Sequence, residues 1–172
     1  MNIPNQLTTL RVLLIPVFIF FFMSDMNAGH FIAAAIFIIA SLTDFLDGYL
    51  ARKWQLVSNF GKIMDPFADK LLVLTALIYL AIEHTIPDWI VIVIIARELL
   101  VTSLRALAAD NGIILAARKL GKYKTATQMI SIVFLIVGIH TIGMILLYIA
   151  VALTIISLVD YVMQLRKSIS FN

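Results

Sequence analysis

Four carboxylates crowd one stretch of an otherwise apolar chain. Residues 44–69 read DFLDGYLARKWQLVSNFGKIMDPFAD and hold Asp44, Asp47, Asp65 and Asp69. Asp44 and Asp47 are three residues apart and Asp65 and Asp69 four, so on helices each pair shares one face. The turn residues Ser58, Asn59 and Gly61 separate the pairs. Asp44 lies eight residues before Arg52 and Asp69 eight after Gly61, which puts each ~12 Å along its helix from the turn. Asp47 and Asp65 lie five before and four after the same landmarks. Folding the two helices antiparallel therefore sets Asp44 against Asp69 and Asp47 against Asp65, a four-carboxylate cluster at one depth.

Such a cluster needs neutralising. A charged residue at a bilayer centre costs ~2.5–3.5 kcal/mol on insertion scales, and mutual repulsion adds to that. Two divalent cations would cancel four negative charges. Hard oxygen ligands suit magnesium, manganese or calcium, and with no cysteine and no nearby histidine zinc is the poorer match. Magnesium held by carboxylates usually completes its shell with substrate phosphates, which points to a phosphate-containing substrate. Gly48 and Ala51 follow Asp47 on the same helix and let a ligand or a second helix approach closely. Pro66 falls in the first turns of its helix, where a missing N–H costs least. The residues alone leave three readings open: metal-assisted phosphate chemistry, an intramembrane cation or proton carrier, and a structural cluster offset by Arg52, Lys62 and Lys70.

The elements that must position these acids are helices. Of the 172 residues 62% are apolar and 13% charged, and the mean hydropathy is +1.04. A soluble domain is about half apolar and about a quarter charged, so the composition is that of an integral membrane protein. Six apolar segments run over 8–24, 31–53, 61–82, 88–109, 122–139 and 142–165. Each is near the ~20 residues that a helix needs to cross hydrocarbon. Asn27 and Gly29, Pro87, Asn111-Gly112, and Gly138 and Gly143 mark the other joints. Residues Asn2 to Leu7, with Pro4, suggest a short interfacial helix before the first span. No basic start or small-residue cleavage site precedes the first apolar run, so an uncleaved first helix is expected.

The turns near 25–30, 83–88 and 138–143 hold no Lys or Arg. The N-terminus with Arg11, the 52–62 turn, the 105–124 stretch and the tail hold nearly all of them. The positive-inside rule then places both termini in the cytoplasm. The expectation is an all-α integral membrane protein, one domain over 1–172, with six transmembrane helices and a short N-terminal interfacial segment. The net charge of +3 belongs to this topology, and no nucleic-acid partner is expected. The absence of cysteine excludes a disulfide framework and thiolate chemistry.

The acidic stretch satisfies D-x2-D-G-x2-A-R-x8-G-x3-D-x3-D at Asp44, Asp47, Gly48, Ala51, Arg52, Gly61, Asp65 and Asp69. This resembles the signature of the CDP-alcohol phosphotransferases, six-helix membrane enzymes that move a phosphatidyl or similar group from a CDP-linked donor to an alcohol and release CMP. The opening NIPNQLTTLR and the later ARELLVTSLRALAADNG and GKYKTATQM resemble the branch of that family that makes phosphatidylglycerophosphate. The resemblance implies CDP-diacylglycerol and sn-glycerol 3-phosphate as substrates and two divalent metal ions, Mg2+ or Mn2+, as cofactors. It also implies a homodimer among membrane lipids, in a bacterial cytoplasmic membrane with the active site facing the cytoplasm. Carried over residue by residue, Asp44, Asp47 and Asp65 bind the metals with Asp69 close by. Asp69 serves as general base, and Gly48, Ala51, Arg52 and Gly61 serve the CDP-lipid side.

An acceptor that carries its own phosphate needs a basic pocket. Arg105, Arg118, Lys122 and Lys124 cluster around the turn between the fourth and fifth spans, and Arg97 lies two helical turns deeper than Arg105. These five are the expected glycerol-phosphate ligands, against the plainer reading of surface charge facing anionic lipid. Arg97 at that depth needs an anion, residue or ligand, and Glu98 next to it is expected to point elsewhere on the helix. Asn5 and Thr8 are expected either to touch the cytosine or to cap the first helix. His30, His84 and His140 fall near the opposite turns and are read as incidental. Within the family, inositol, inositol phosphate, serine or phosphatidylglycerol are alternative acceptors. A membrane prenyltransferase would need more helices and two widely separated acid motifs.

Overall fold

The computed structural model describes the backbone of residues 3–54, 59–110 and 119–170 and the side chains of residues 8–43, 67–68, 70–110 and 120–166. Among the described residues there are six helices and no strand: α1 (Ile3–Phe22), α2 (Gly29–Trp54), α3 (Asn59–Ile82), α4 (Asp88–Asp110), α5 (Lys119–Ile136) and α6 (His140–Ser170). The all-α expectation holds. Of the expected joint residues, Asn27, Pro87 and Gly138 fall between helices, Gly29 opens α2, and Asn59, Gly61 and Gly143 lie within α3 and α6, while Ser58 and Asn111-Gly112 lie outside the described residues. The segment before the first span is not a separate interfacial element, because Ile3–Leu7 continue into α1 without a break. Pro4 sits in the first turn, where its missing N–H interrupts no helical bond.

The helix ends follow from local chemistry. α5 closes with Gly138 at φ 83°, and the Gly138 and Ile139 amides donate to Leu135 O and Phe134 O at 3.1 and 2.8 Å. Glycine takes that left-handed geometry without penalty. α3 closes the same way with His84 at φ 56°, its amide and that of Thr85 donating to Ala81 O and Leu80 O.

Beside its apolar core the bundle buries several polar side chains, and its outer surface is rich in large apolar ones. Thr8, Gln128, Ser131, Thr154 and Ser157 are buried, as are the charged Arg11 and Lys124. Phe20, Phe31, Ile92 and Leu99 are 63–67% exposed. Singly exposed apolar residues are ordinary, but large ones recur on every helix here, which is the pattern of a lipid-facing surface. Among the described residues one helix, over His140–Arg166, is long and apolar enough to cross a membrane. Thr8–Phe22, Gly29–Thr43 and Lys70–Ile82 are shorter apolar stretches. The six helices thus match the expected number, while apolar length alone qualifies one of them.

The core joins Phe18 and Phe22 of α1, Phe37 of α2, Leu77 and Leu80 of α3, Ile90 and Ile94 of α4, Ile132 of α5 and Leu147 of α6. α1 packs on α2 and α3, α4 on α6, and α5 most extensively on α6. α2 and α3 run antiparallel. They are joined through 55–58 at one end, and at the other His30 Nε2 of α2 lies 3.3 Å from Glu83 Oε1, just past α3. Phe22 at the end of α1 meets both partners there, His30 edge-on at 5.0 Å and Tyr79 at 5.8 Å.

The α5–α6 hairpin depends on close approach at Gly143. A Cβ there would lie 2.7 Å from Leu135 Cδ2 and 3.2 Å from the Leu135 amide nitrogen. The Ser131 hydroxyl donates to Gly143 O at 2.8 Å across the same contact. Gly143→Val is therefore expected to destabilise the protein by roughly 1–3 kcal/mol, read as a lowered melting temperature in detergent against Gly121→Ala, whose Cβ meets nothing within 4 Å.

Candidate functional site

α2 carries Asp44 and Asp47, and α3 carries Asp65 and Asp69. The side chains of all four lie outside the described residues, as do those of Gly48, Ala51, Arg52, Gly61 and Asn5, and Arg118 lies wholly outside them. The backbone register can still be read from the far end of the helix pair. His30 meets Glu83, whose amide still bonds helically to Tyr79 O at 3.0 Å. Asp44 is fourteen residues after His30 and Asp69 fourteen before Glu83. At a common rise both stand ~21 Å from that contact. Asp47 and Asp65 are seventeen and eighteen residues from the same two residues. This register suits a group of hard oxygen ligands gathered at one depth, and so fits a pair of divalent ions. Among the described side chains no three of His, Cys, Asp and Glu come together, so the metal expectation rests on these four aspartates.

The expected acceptor cations divide. Two of them converge on Glu98 of α4. Lys124 Nζ of α5 lies 2.5 Å from Glu98 Oε1, and Arg97 Nη1 lies 2.9 Å from the same oxygen. Lys70 of α3 stands 3.8 Å from Oε2 and donates to Thr102 Oγ1, which in turn donates to Glu98 O at 2.7 Å. Arg97 Nη2 donates to Ser157 Oγ of α6 at 3.0 Å, and Ser157 donates onward to Thr154 O at 2.9 Å. One carboxylate thereby ties α3, α4, α5 and α6 together.

This corrects the expectation that Glu98 points away from Arg97. Neighbouring positions on a helix diverge by about 100° at Cβ, but a guanidinium on three methylenes swings back far enough to reach the carboxylate. The anion that the deep arginine requires is a residue of its own helix. The other cations stand apart. Arg105 Nε donates to Tyr161 Oη at 3.1 Å, with its guanidinium 5.4 Å from the ring centre, while Lys122 is exposed.

Three cations around one carboxylate leave two positive charges in excess. A small cavity of about 40 Å³ lies among them, lined by Lys70, Glu98, Lys124, Thr125 and Gln128. Gln128 Oε1 and Arg97 Nε are buried without a hydrogen-bond partner in the described structure. The arrangement is a concave, electropositive recess suited to an anion. A second, apolar groove of about 450 Å³ runs between Phe37, Ile38, Ser41 and Leu42 of α2 and Met129, Ile130, Val133 and Phe134 of α5. It begins one helical turn from Asp44.

Thr8 is fully buried well inside α1, which removes it as the cap of that helix. Sequence reasoning missed the Glu98 hub, the part of Lys70 in it, and the complete burial of Arg11, which is 1% exposed. A signal for the hub existed: Glu98 is the single acid between Asp88 and Asp110, in a chain with three deep cations seeking a partner.

The CDP-alcohol phosphatidyltransferase family matches residues 1–156, and the chain belongs to it; it is a phosphatidyltransferase. The CDP-diacylglycerol–glycerol-3-phosphate 3-phosphatidyltransferase of Bacillus subtilis is 47% identical over 143 residues, 76% of this chain and 74% of that protein. The proteins of the same name from Haemophilus influenzae and Rickettsia felis are 41% and 38% identical, covering 99% and 96% of this chain and 97% and 96% of their own.

Removing the hub carboxylate would strand buried cations. Glu98→Ala is expected to cost roughly 3–5 kcal/mol. Lys70→Met, which removes a one-third exposed partner at the longest distance in the network, is expected to cost roughly 1 kcal/mol or less. Thermal unfolding of the two variants side by side checks the difference.

Proposed function

We propose that this protein transfers the phosphatidyl group of CDP-diacylglycerol to sn-glycerol 3-phosphate, giving phosphatidylglycerophosphate and CMP. The observation that carries the reading is likeness over almost the whole chain to proteins named for that reaction. It is joined by a sequence in which all eight positions of the acidic signature are present.

On this reading Asp44, Asp47, Asp65 and Asp69 would hold two divalent ions, which when bound neutralise the donor diphosphate and favour departure of CMP. Asp69 takes the proton from the acceptor hydroxyl as its oxygen bonds to the lipid-side phosphorus. The bond from that phosphorus to the CMP oxygen breaks, and its electron pair leaves with CMP. Gly48, Ala51, Arg52 and Gly61 serve the nucleotide side, together with Asn5 and Thr8 of α1. The apolar α2–α5 groove offers the donor a place for an acyl chain within a turn of Asp44.

The acceptor's phosphate goes to the basic side of the bundle, where Arg105, Arg118, Lys122, Lys124 and Arg97 reside. The surplus of two positive charges at the Glu98 recess supports a phosphorylated acceptor over a neutral one. Lys124 and Arg97 serve it while shared with Glu98, so their part is field and orientation as much as direct contact.

The same reading takes the chain as one membrane domain. Its six helices are six spans of a bacterial cytoplasmic membrane, with both termini and the active site on the cytoplasmic side, and two copies form a homodimer. The apolar outer surface and the absence of Lys and Arg from three alternate turns support the topology.

The test is incorporation of radiolabelled glycerol 3-phosphate into lipid. Label is expected to enter only with CDP-diacylglycerol and a divalent ion both present, and EDTA is expected to stop it. Acceptance of inositol phosphate in place of glycerol 3-phosphate would reassign the acceptor. Asp69→Asn is expected to lower turnover by roughly 10²–10⁴-fold while CDP-lipid binding persists, whereas Asp44→Asn weakens binding and turnover together. Near-normal turnover in Asp69→Asn would remove it as the base.

A further inference from the structure

Arg11 heads the fully buried side chains of the described residues by size, at 1% exposure. By topology alone it reads as a surface charge at the cytoplasmic edge of the first span. In the bundle it turns inward from α1, and its Nε donates to the backbone oxygen of Ala40 on α2 at 3.2 Å. Thr43 Oγ1 donates to the same oxygen at 2.7 Å. Ala40 lies one helical turn before Asp44, and its carbonyl is the one whose helical partner is the Asp44 amide.

A guanidinium cannot shed its charge, and taking it out of water costs several kcal/mol unless anions answer it. It carries five N–H donors, and its Nε–H goes to Ala40 O. A carbonyl dipole offsets only part of a full charge. Residues i and i+4 are neighbours on a helix face, ~5–6 Å apart at Cβ, so the fixed anion that α2 offers nearest to Ala40 is Asp44.

We propose that Arg11 is a positioning residue for the acidic face of α2: a resident counter-charge that holds the carboxylates together when divalent ions are absent and trades free energy with those ions when they bind. The inference rests on the reading of Asp44, Asp47, Asp65 and Asp69 as a metal site. Four carboxylates without ions carry four negative charges, and Arg11 lowers that to three. Removing it makes the ion-free bundle more self-repelling and makes ion binding more favourable, because the ions no longer share the site with a fixed cation. A residue that only fills space would do neither.

The experiment measures the melting temperature of the full chain in detergent micelles, in EDTA and in saturating Mg2+, for the wild type, Arg11→Gln and Arg11→Lys. Arg11→Gln keeps a side-chain amide for the Ala40 carbonyl but carries no charge. It is expected to melt lower than the wild type in EDTA and to gain roughly twice the wild-type rise on adding Mg2+, with half-saturation at a lower Mg2+ concentration. Arg11→Lys keeps the charge and is expected to follow the wild-type response. An equal Mg2+-induced rise in Arg11→Gln and the wild type would overturn the proposal while leaving the metal site standing. Loss of fold in Arg11→Gln in both buffers would also overturn it, as the mark of a packing role. If the wild type shows no Mg2+ response and no Mg2+ binding, the metal site and the counter-charge fall together.

Discussion

The antiparallel register of α2 and α3 is the constraint on which the rest of the bundle depends. Neither helix carries a useful site alone: each has two acids on one face, and two carboxylates on one helix make a weak cage for a dication. What matters for the proposed site is that the backbone register brings the two pairs to one depth. Two features at opposite ends of the pair set that depth. Near the acids, the connection through 55–58 limits how far one helix can slide along the other. At the far end, His30 reaches Glu83 while Phe22 packs on His30 and Tyr79. A slip of one helical turn would break that contact and displace each aspartate by ~5.4 Å from its counterpart. A histidine far from the chemistry thus bears on the chemistry through the rigidity of two helices.

Much of this was legible in the sequence, for a physical reason. Helical rise is constant, so spacing along one helix and across one short turn converts directly into depth. The number of helices is therefore readable from the apolar segments, and the spacing in 44–69 gives the expected depth of the aspartates. Lateral neighbours are not. Glu98 and Lys124 are 26 residues apart on the consecutive helices α4 and α5, but nothing in periodicity tells which face of α5 meets which face of α4. The same limit hid Arg11. A charge count by loop treats every arginine beside an apolar run as surface, and burial depends on how α1 leans against α2. Glu98 was misjudged because Cβ directions were taken for side-chain directions, a fair rule for short side chains and a poor one for arginine.

Charge placement gives the bundle its internal logic. On the proposed topology hydrocarbon outside leaves no solvent for a stray charge, so each deep cation or acid must be answered from within. Two centres result, of opposite sign. On the proposed reading, one gathers the acids of α2 and α3, with the buried Arg11 of α1 bonded to Ala40 O one turn before Asp44. The other gathers Lys70, Arg97 and Lys124, with Glu98 in their midst. Each majority holds one residue of opposite charge, and in each the minority residue keeps the centre assembled while leaving it a net charge with which to hold a ligand.

α3 is the wall the two centres share. Asp69 and Lys70 are consecutive, so their side chains leave the helix about 100° apart, one on the acidic face and one toward Glu98 of α4. On the proposed reading, the acceptor hydroxyl has to reach the donor diphosphate on a molecule that itself carries a phosphate, against the repulsion between the two anions. Holding one through hard cations on carboxylates and the other through amines and guanidinium groups, on adjacent faces of a single helix, would meet that requirement. It also explains why the positive centre contains its own carboxylate. Without Glu98, three like charges in an apolar bundle would push α3, α4 and α5 apart, and the face that carries Asp69 would move with them.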